Sequence, residues 1–248
     1  MPRQAREKSR TGIYHIMLRG INRQTIFEDE EDSLKFLETL KFYKAISGYN
    51  IFAYCLMSNH IHLLLQVGKE ELDLIMKRIA GSYVYWYNWK YYRKGHLFQD
   101  RYKSEPVEDE KYFLTVLRYI HQNPQKAGIV KNLGDYQFSS YNEILKENKD
   151  IIDTDFIYSL IHKQDFIIFC NQSNNDVCLE YDESDGRLSD TDAIKIIQKV
   201  SKCKNASEFS KLDVTKRDKC ISKLKEEGFS IRQISRLTGV SFGIVRRL

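Results

Sequence analysis

The run HIHLLLQV sets His60 and His62 on either side of Ile61. Side chains alternate across a strand, so the two imidazoles share one face and Ile61 takes the other. Two imidazoles on one pleat can hold a divalent metal ion; a histidine pair at a solvated strand end is the plainer alternative. Farther along, Tyr119 and Asn123 stand four apart just before Pro124, which puts a phenol and an amide oxygen on one helical face. Asn123 also falls in the final turn, where the negative end of the helix dipole favours a cation. His60, His62 and Asn123 are therefore three candidate ligands for Mg²⁺ or Mn²⁺, with positions left for water and substrate oxygens; Mn²⁺ tolerates imidazole better. Tyr119 is the candidate nucleophile beside that ion. A phenol with an ordinary pKa of about 10 is protonated at neutral pH, so a nearby cation helps expose the phenolate. The alternative for Tyr119 is a core ring with a capped hydroxyl. Tyr112 lies two helical turns earlier on nearly the same face, but four residues beyond it is Val116, which cannot ligate.

The segment YVYWYNWKYYRKGHLFQDRYK, residues 83–103, interleaves nine aromatics with cations. Bases stack on aromatic faces for roughly 1–3 kcal/mol each and cations track phosphates, so this composition suits a groove for a single nucleic-acid strand. On a helix Tyr83, Tyr87 and Tyr91 form one stripe and Tyr85 and Trp89 another, and the core is expected to claim about half of these rings. Lys90, Arg93, Arg101 and Lys103 are the candidate DNA contacts here. Arg19 and Arg23 border the first strand, and Arg3, Arg6, Lys8 and Arg10 form a basic arm at the N-terminus. The net charge of +5 and pI near 8.8 lean the same way, towards an anionic partner.

The elements that must position these groups follow from pattern. GIYHIMLRG is a β-branched and aromatic run ended by glycine, a strand. DEEDSLKFLETLKFYKAI opens with acids, repeats apolar residues at helical spacing and stops at Gly48. IFAYCLM and HIHLLLQV are two strands joined through Ser58 and Asn59, a tight hairpin. A long helix follows from Glu70 to about Tyr92, then a short strand around Ser104 to Val107 and a helix from Asp109 to Asn123. That helix is expected to end there because the residue before a proline disfavours the α region. The order βαββαβα predicts an α+β, ferredoxin-like split βαβ sandwich with its helices on one face.

At 248 residues the chain has room for one large domain or two modest ones. No segment approaches the ~18–20 apolar residues of a membrane span, and no apolar run follows the basic start; a cytoplasmic protein with no membrane partner is expected. The five cysteines include no C-x-x-C pair, so neither a disulfide framework nor a structural zinc site is suggested. Residues 173–192 carry seven acids against Arg187, the composition of a solvated linker. Residues 216–248 carry nine Lys or Arg. The organisation expected is a catalytic domain over 1–150, a connecting segment with an acidic linker over 151–192, and a small all-α domain over 193–248. In the last, Ser230 and Ser241 can each cap a short helix. The pair has the form of a helix-turn-helix, with Arg232, Arg246 and Arg247 as candidate contacts to duplex DNA; a trihelical interaction module is the alternative.

The motifs MSNHIHLLL, GHLFQDRYKS, RYIHQNPQKAG and DYQFSSY, together with the RGINRQTIF opening, occur in one order between about Tyr14 and Tyr141. In this the chain resembles the single-tyrosine HUH transposases, in particular the REP-associated tyrosine transposases and IS200-like transposases. The resemblance implies a ferredoxin-like catalytic domain in which His60, His62 and Asn123 hold a metal and Tyr119 is the nucleophile. In the insertion-sequence branch the third ligand is often Gln, which keeps Gln122 and His121 as minor candidates. It also implies cleavage and rejoining of hairpin-forming single-stranded DNA through a 5′-phosphotyrosine, by a monomer or a homodimer. The absence of a Walker-type glycine loop agrees with a reaction that needs no external energy source. Two other readings fit the same residues: a catalytically inactive DNA-binding regulator, and a phosphodiesterase that uses water as nucleophile.

Overall fold

The computed structural model describes residues 6–180 and 190–248. They divide into two compact units, the first formed by residues up to Gly20 and from Thr25 to Glu180. Its sheet has four strands, β1 (Ile13–Arg19), β2 (Asn50–Met57), β3 (His60–Gln66) and β4 (Lys103–Pro106). They lie in the order β2-β3-β1-β4, and every neighbouring pair is antiparallel. With the connecting helices α1 (Glu30–Ser47) and α2 (Leu72–Lys90), this is the ferredoxin-like topology that the pattern predicts.

Local chemistry sets these elements. Asp29 caps α1 through the Asp32 amide while Asp32 reaches back to the Asp29 amide, and Gly48 ends the helix at φ 67°, a conformation that glycine adopts without strain. Ser58 and Asn59 form the two-residue link between β2 and β3. Residues 61–65 of β3 are all buried, the mark of a strand covered on both faces. Phe36, Leu40, Ile75, Ile79 and Tyr83 of the packed pair α1 and α2 join the same core.

The helix that carries Tyr119, α3 (Glu110–Lys126), departs from the expectation in two ways. It lies on the sheet face that bears the histidines, not with α1 and α2; Phe113 meets Phe52 of β2 with ring centroids 5.1 Å apart. It also runs past Pro124 to Lys126. Proline costs a helix one amide hydrogen bond, and here the next turn is closed by the Ala127 amide on the Asn123 carbonyl, 2.9 Å, and by the Ile129 amide on the Pro124 carbonyl, 2.9 Å.

After α4 (Tyr141–Leu145), residues 151–180, expected to be connecting segment, continue the first unit through α5 (Thr154–Leu160) and α6 (Lys163–Asn171). Ile152, Ile157, Phe166, Cys170 and Cys178 are buried in the common core. The physical reason is apolar periodicity in short helices that the acid-rich stretch after them masked. This return covers the outer edge of β2: the Leu56 amide donates to the Phe138 carbonyl at 2.9 Å, the Ser140 amide to Tyr54 at 3.0 Å, and the Asp153 amide to Ile51 at 2.7 Å. Of the solvated linker expected over residues 173–192, residues 181–189 lie outside the described residues.

The second unit, described from Asp190, is all helical: α7 (Asp190–Ser201), α8 (Ala206–Ser210), α9 (Val214–Glu226), α10 (Ile231–Thr238) and α11 (Phe242–Arg247). Phe209, Ile221, Leu224, Phe229, Ile234 and Val245 form its core. Ser230 caps α10 through the Gln233 amide at 3.2 Å, and Gly239 ends it at φ 73°.

Candidate active site

Cross-strand register assembles the site. Arg19 faces His60 and Met17 faces His62 between β1 and β3, while His15 faces Glu105 and Met17 faces Lys103 between β1 and β4. Directly opposed residues share a face, so His15, Arg19, His60, His62, Lys103 and Glu105 stand on one side of the sheet. Tyr119 of α3 lies over them. Its ring is edge-on to His15 at 5.9 Å and to His62 at 5.8 Å between centroids. His15 and His62 stack at 5.2 Å and share a hydrogen bond, His15 Nε2 to His62 Nδ1, of 3.0 Å. His60 completes the cluster 5.1 Å from His62, and its Nδ1 lies 2.7 Å from Asn59 Oδ1.

Burial decides the charge states. It draws His60 down to about 4, with the Arg19 cation adding to the effect. Burial, then the neighbouring His60 and His15, hold His62 well below the usual imidazole value. Both rings are neutral at pH 7 and each keeps one lone pair for a ligand. Tyr119 is shifted the other way: burial, then the Glu180 carboxylate that accepts its hydroxyl proton, raise the phenol well above its ordinary value. Lys126 Nζ lies 5.0 Å from the centre of the same ring.

The third ligand is narrowed by hydrogen bonding. Gln122 spends its Nε2 on the carbonyls of Cys170 at 2.7 Å and Gln172 at 3.0 Å, and its Oε1 accepts from Asn174 at 2.8 Å. His121 is bonded through Nε2 to Ser140 Oγ at 2.8 Å and packed between Tyr141 and Phe166. Asn123 donates Nδ2 to the Tyr119 carbonyl at 2.9 Å, and its Oδ1 takes no hydrogen bond among the described residues. Among these no three His, Cys, Asp or Glu side chains cluster to hold an ion. Two neutral imidazoles and an amide oxygen are a donor set that suits Mn²⁺ or Mg²⁺.

Glu180 and His15 escaped the sequence reading. His15 interrupts the apolar strand GIYHIMLRG, a usable signal once β1 is paired with β3. Glu180 belongs to a strap that the acid-rich composition disguised. Residues 172–180 are tied down by Gln122 and by Arg118, whose Nε and Nη2 meet the Asp176 carboxylate at 2.8 and 3.0 Å. Lys103 Nζ donates to the Glu180 carbonyl at 3.3 Å.

The expected DNA contacts divide. Lys90 is engaged within the protein: its ammonium lies 2.7, 2.8 and 2.9 Å from Asp29, Glu31 and buried Asp32, so it neutralises the start of α1. The reason is that α1 and α2 pack side by side and bring the last turn of one to the first turn of the other. Arg93 leans over the Tyr87 ring at 5.4 Å, and Arg101 is exposed. Arg23 sits in the turn after β1 at φ 59°. Of the rings, Tyr83 and Tyr87 are buried whereas Tyr85 and Trp89 are exposed. The basic arm is pinned in place: Arg6 pairs with Asp73 at 2.7 Å, and Lys8 with Glu71 and Arg10 with Glu108 at 3.4 Å each. Arg3 lies outside the described residues. In the second unit Arg232, Arg246 and Arg247 are exposed.

A histidine pair thus stands on a central strand of a ferredoxin-like sheet, with a tyrosine from a facing helix set against it. Residues 8–123 match the family model described as "Transposase IS200 like". A Haemophilus influenzae protein described as a REP-associated tyrosine transposase is 29% identical over 106 residues, 38% of this chain; the match spans 60% of that protein's length. The solved structure of a REP-associated tyrosine transposase bound to a REP hairpin superposes with a TM-score of 0.51 at 18% identity, over 62% of this chain and 90% of that one. It shares the fold. No helix among the described residues is long and apolar enough to cross a membrane.

Proposed function

We propose that this protein is a metal-dependent tyrosine transposase that cleaves and rejoins hairpin-forming single-stranded DNA through a 5′-phosphotyrosine on Tyr119. The observation that supports this reading most directly is the Tyr119 ring set edge-on to His15 and His62 on the sheet face that also carries His60. His60, His62 and Asn123 would hold Mg²⁺ or Mn²⁺, which when bound supplies Lewis-acid polarisation of the scissile phosphate. Arg19, opposite His60, and Lys103 on the same face offer positive charge to the phosphates on either side. In the cleavage step the bond from Tyr119 Oη to phosphorus forms as the phosphorus–O3′ bond breaks. The phenolic proton is given up and the departing 3′-oxygen takes one up. Attack by a 3′-hydroxyl on the phosphotyrosine reverses the step and reseals the strand, so bond energy is conserved throughout.

The second unit is read as a duplex-binding helix-turn-helix. α10 and α11 are joined through Gly239, Val240 and Ser241, and the exposed Arg232, Arg246 and Arg247 are cations suited to phosphates or guanine edges.

The test mixes the protein with labelled hairpin oligonucleotides drawn from the flanks of its own gene, in Mn²⁺, and resolves products on denaturing gels. A covalent protein–DNA band is expected for wild type and for Tyr112→Phe, and none for Tyr119→Phe, His60→Ala or wild type with chelator. Cleavage without an adduct would identify water as the nucleophile. Binding of the hairpin with neither cleavage nor adduct would assign the chain as a DNA-binding regulator.

A further inference from the structure

His15 plays no part in that chemistry, yet it is wholly buried and in direct contact with His62. We propose that His15 and Glu105 are positioning residues: they form a carboxylate–histidine–histidine chain that fixes the tautomer of His62 and aims its Nε2 lone pair at the metal position. The proposal rests on the metal reading above and adds the residues that prepare the ligand.

A bond between two neutral imidazoles needs one N–H and one lone pair, and the 3.0 Å contact of His15 Nε2 with His62 Nδ1 allows either assignment. The far side of His15 decides between them. Its Nδ1 lies 3.9 Å from Glu105 Oε2, and neither atom makes a hydrogen bond among the described residues. An acceptor-only carboxylate beside that nitrogen favours the proton on His15 Nδ1. His15 Nε2 is then a lone pair, so the proton in the shared bond belongs to His62 Nδ1, and His62 Nε2 is left bare. Asn59 does for His60 what His15 does for His62: its Oδ1 takes the Nδ1 proton at 2.7 Å and leaves Nε2 bare. Both members of the pair thus present the same nitrogen. Metal-bound histidines are commonly oriented in this way, by a second group on the other ring nitrogen.

Two measurements on the full chain test this. Long-range ¹⁵N–¹H spectra of the metal-free protein report the ring tautomers directly; His62 protonated on Nδ1 is expected, and His62 protonated on Nε2 would overturn the proposal. Binding of Mn²⁺ alone, without DNA, is then compared across variants. His15→Leu is expected to weaken it about 10- to 100-fold. His15→Gln, whose Oε1 can still accept from His62 Nδ1, is expected to stay within a few-fold of wild type. Equal Mn²⁺ affinity in His15→Leu and wild type would overturn the proposal, as would equal losses in the Leu and Gln variants, which would mark His15 as a packing residue. If His15→Leu fails to fold by circular dichroism, Glu105→Leu takes its place: a mixed His62 tautomer is expected, and an unchanged one would overturn the role of Glu105. Should wild type itself take up no Mn²⁺, the metal reading fails, and the His62 tautomer still decides whether His15 and Glu105 set the proton position on that ring.

Discussion

Tyr119 is held by Glu180 in a state unsuited to attack. The neighbouring carboxylate and burial both favour the neutral phenol, whereas phosphorus must be met by the phenolate. Glu180→Gln removes the negative charge and lets the phenol pKa fall, so the pH profile of adduct formation with a hairpin oligonucleotide is expected to shift to lower pH, with a faster rate at neutral pH. An unshifted profile would show that Glu180 leaves the site before the reaction. Lys90 makes the opposite kind of statement, a cation committed to structure. Lys90→Met leaves the Asp32 carboxylate buried without its ammonium, a loss of about 1–3 kcal/mol expected in urea unfolding, with hairpin affinity unchanged. The pH dependence has a definite sign. Lys90 holds the Asp29 carboxyl below its ordinary value, so this interaction stabilises the fold above the usual Asp range near pH 3.8 and is lost as pH falls through the depressed value. Acid unfolding of Lys90→Met should show that limb flattened. At this scale the sequence exposed His60, His62, Tyr119 and Asn123, because strand and helix periodicities are local. His15, Glu105 and Glu180 are brought in by strand pairing and by a returning chain, which spacing does not encode.

The elements show how a short apolar helix can hide in polar company. The four strands, α1, α2 and most of α3 follow from alternation, caps and glycine stops, and the ferredoxin-like order from their succession. α3 crosses to the histidine face because the sheet needs cover there, a requirement that appears only when β3 is known to be buried on both sides. α5 and α6 were masked by neighbouring acids although Phe166 is fully buried, its ring 5.7 Å from Tyr141 and 6.0 Å from His121. Phe166→Ala is expected to destabilise the protein by about 3–5 kcal/mol, measured by equilibrium denaturation. A change of a few tenths would mean that this part of the chain is peripheral to the first unit. The same contacts place the back of α3 against α6, so the variant should also slow adduct formation through loss of Tyr119 position.

For the whole molecule, the two units have separate cores and the expected activities divide between them. Arg246→Ala with Arg247→Ala is expected to weaken binding to duplex DNA and to reduce the slope of log affinity against log salt by up to about two. Cleavage of a single-stranded hairpin by the same variant should continue. A duplex affinity and salt slope equal to wild type would assign the second unit to another task.

The outer edge of β2 is already occupied, since residues 138–140 and 152–153 return to its backbone. An uncovered edge offers its amides and carbonyls to a strand from another molecule. On this side that template is used up within the chain itself. Continuation of the sheet from one copy to the next across β2 is therefore blocked by the chain's own return over that edge.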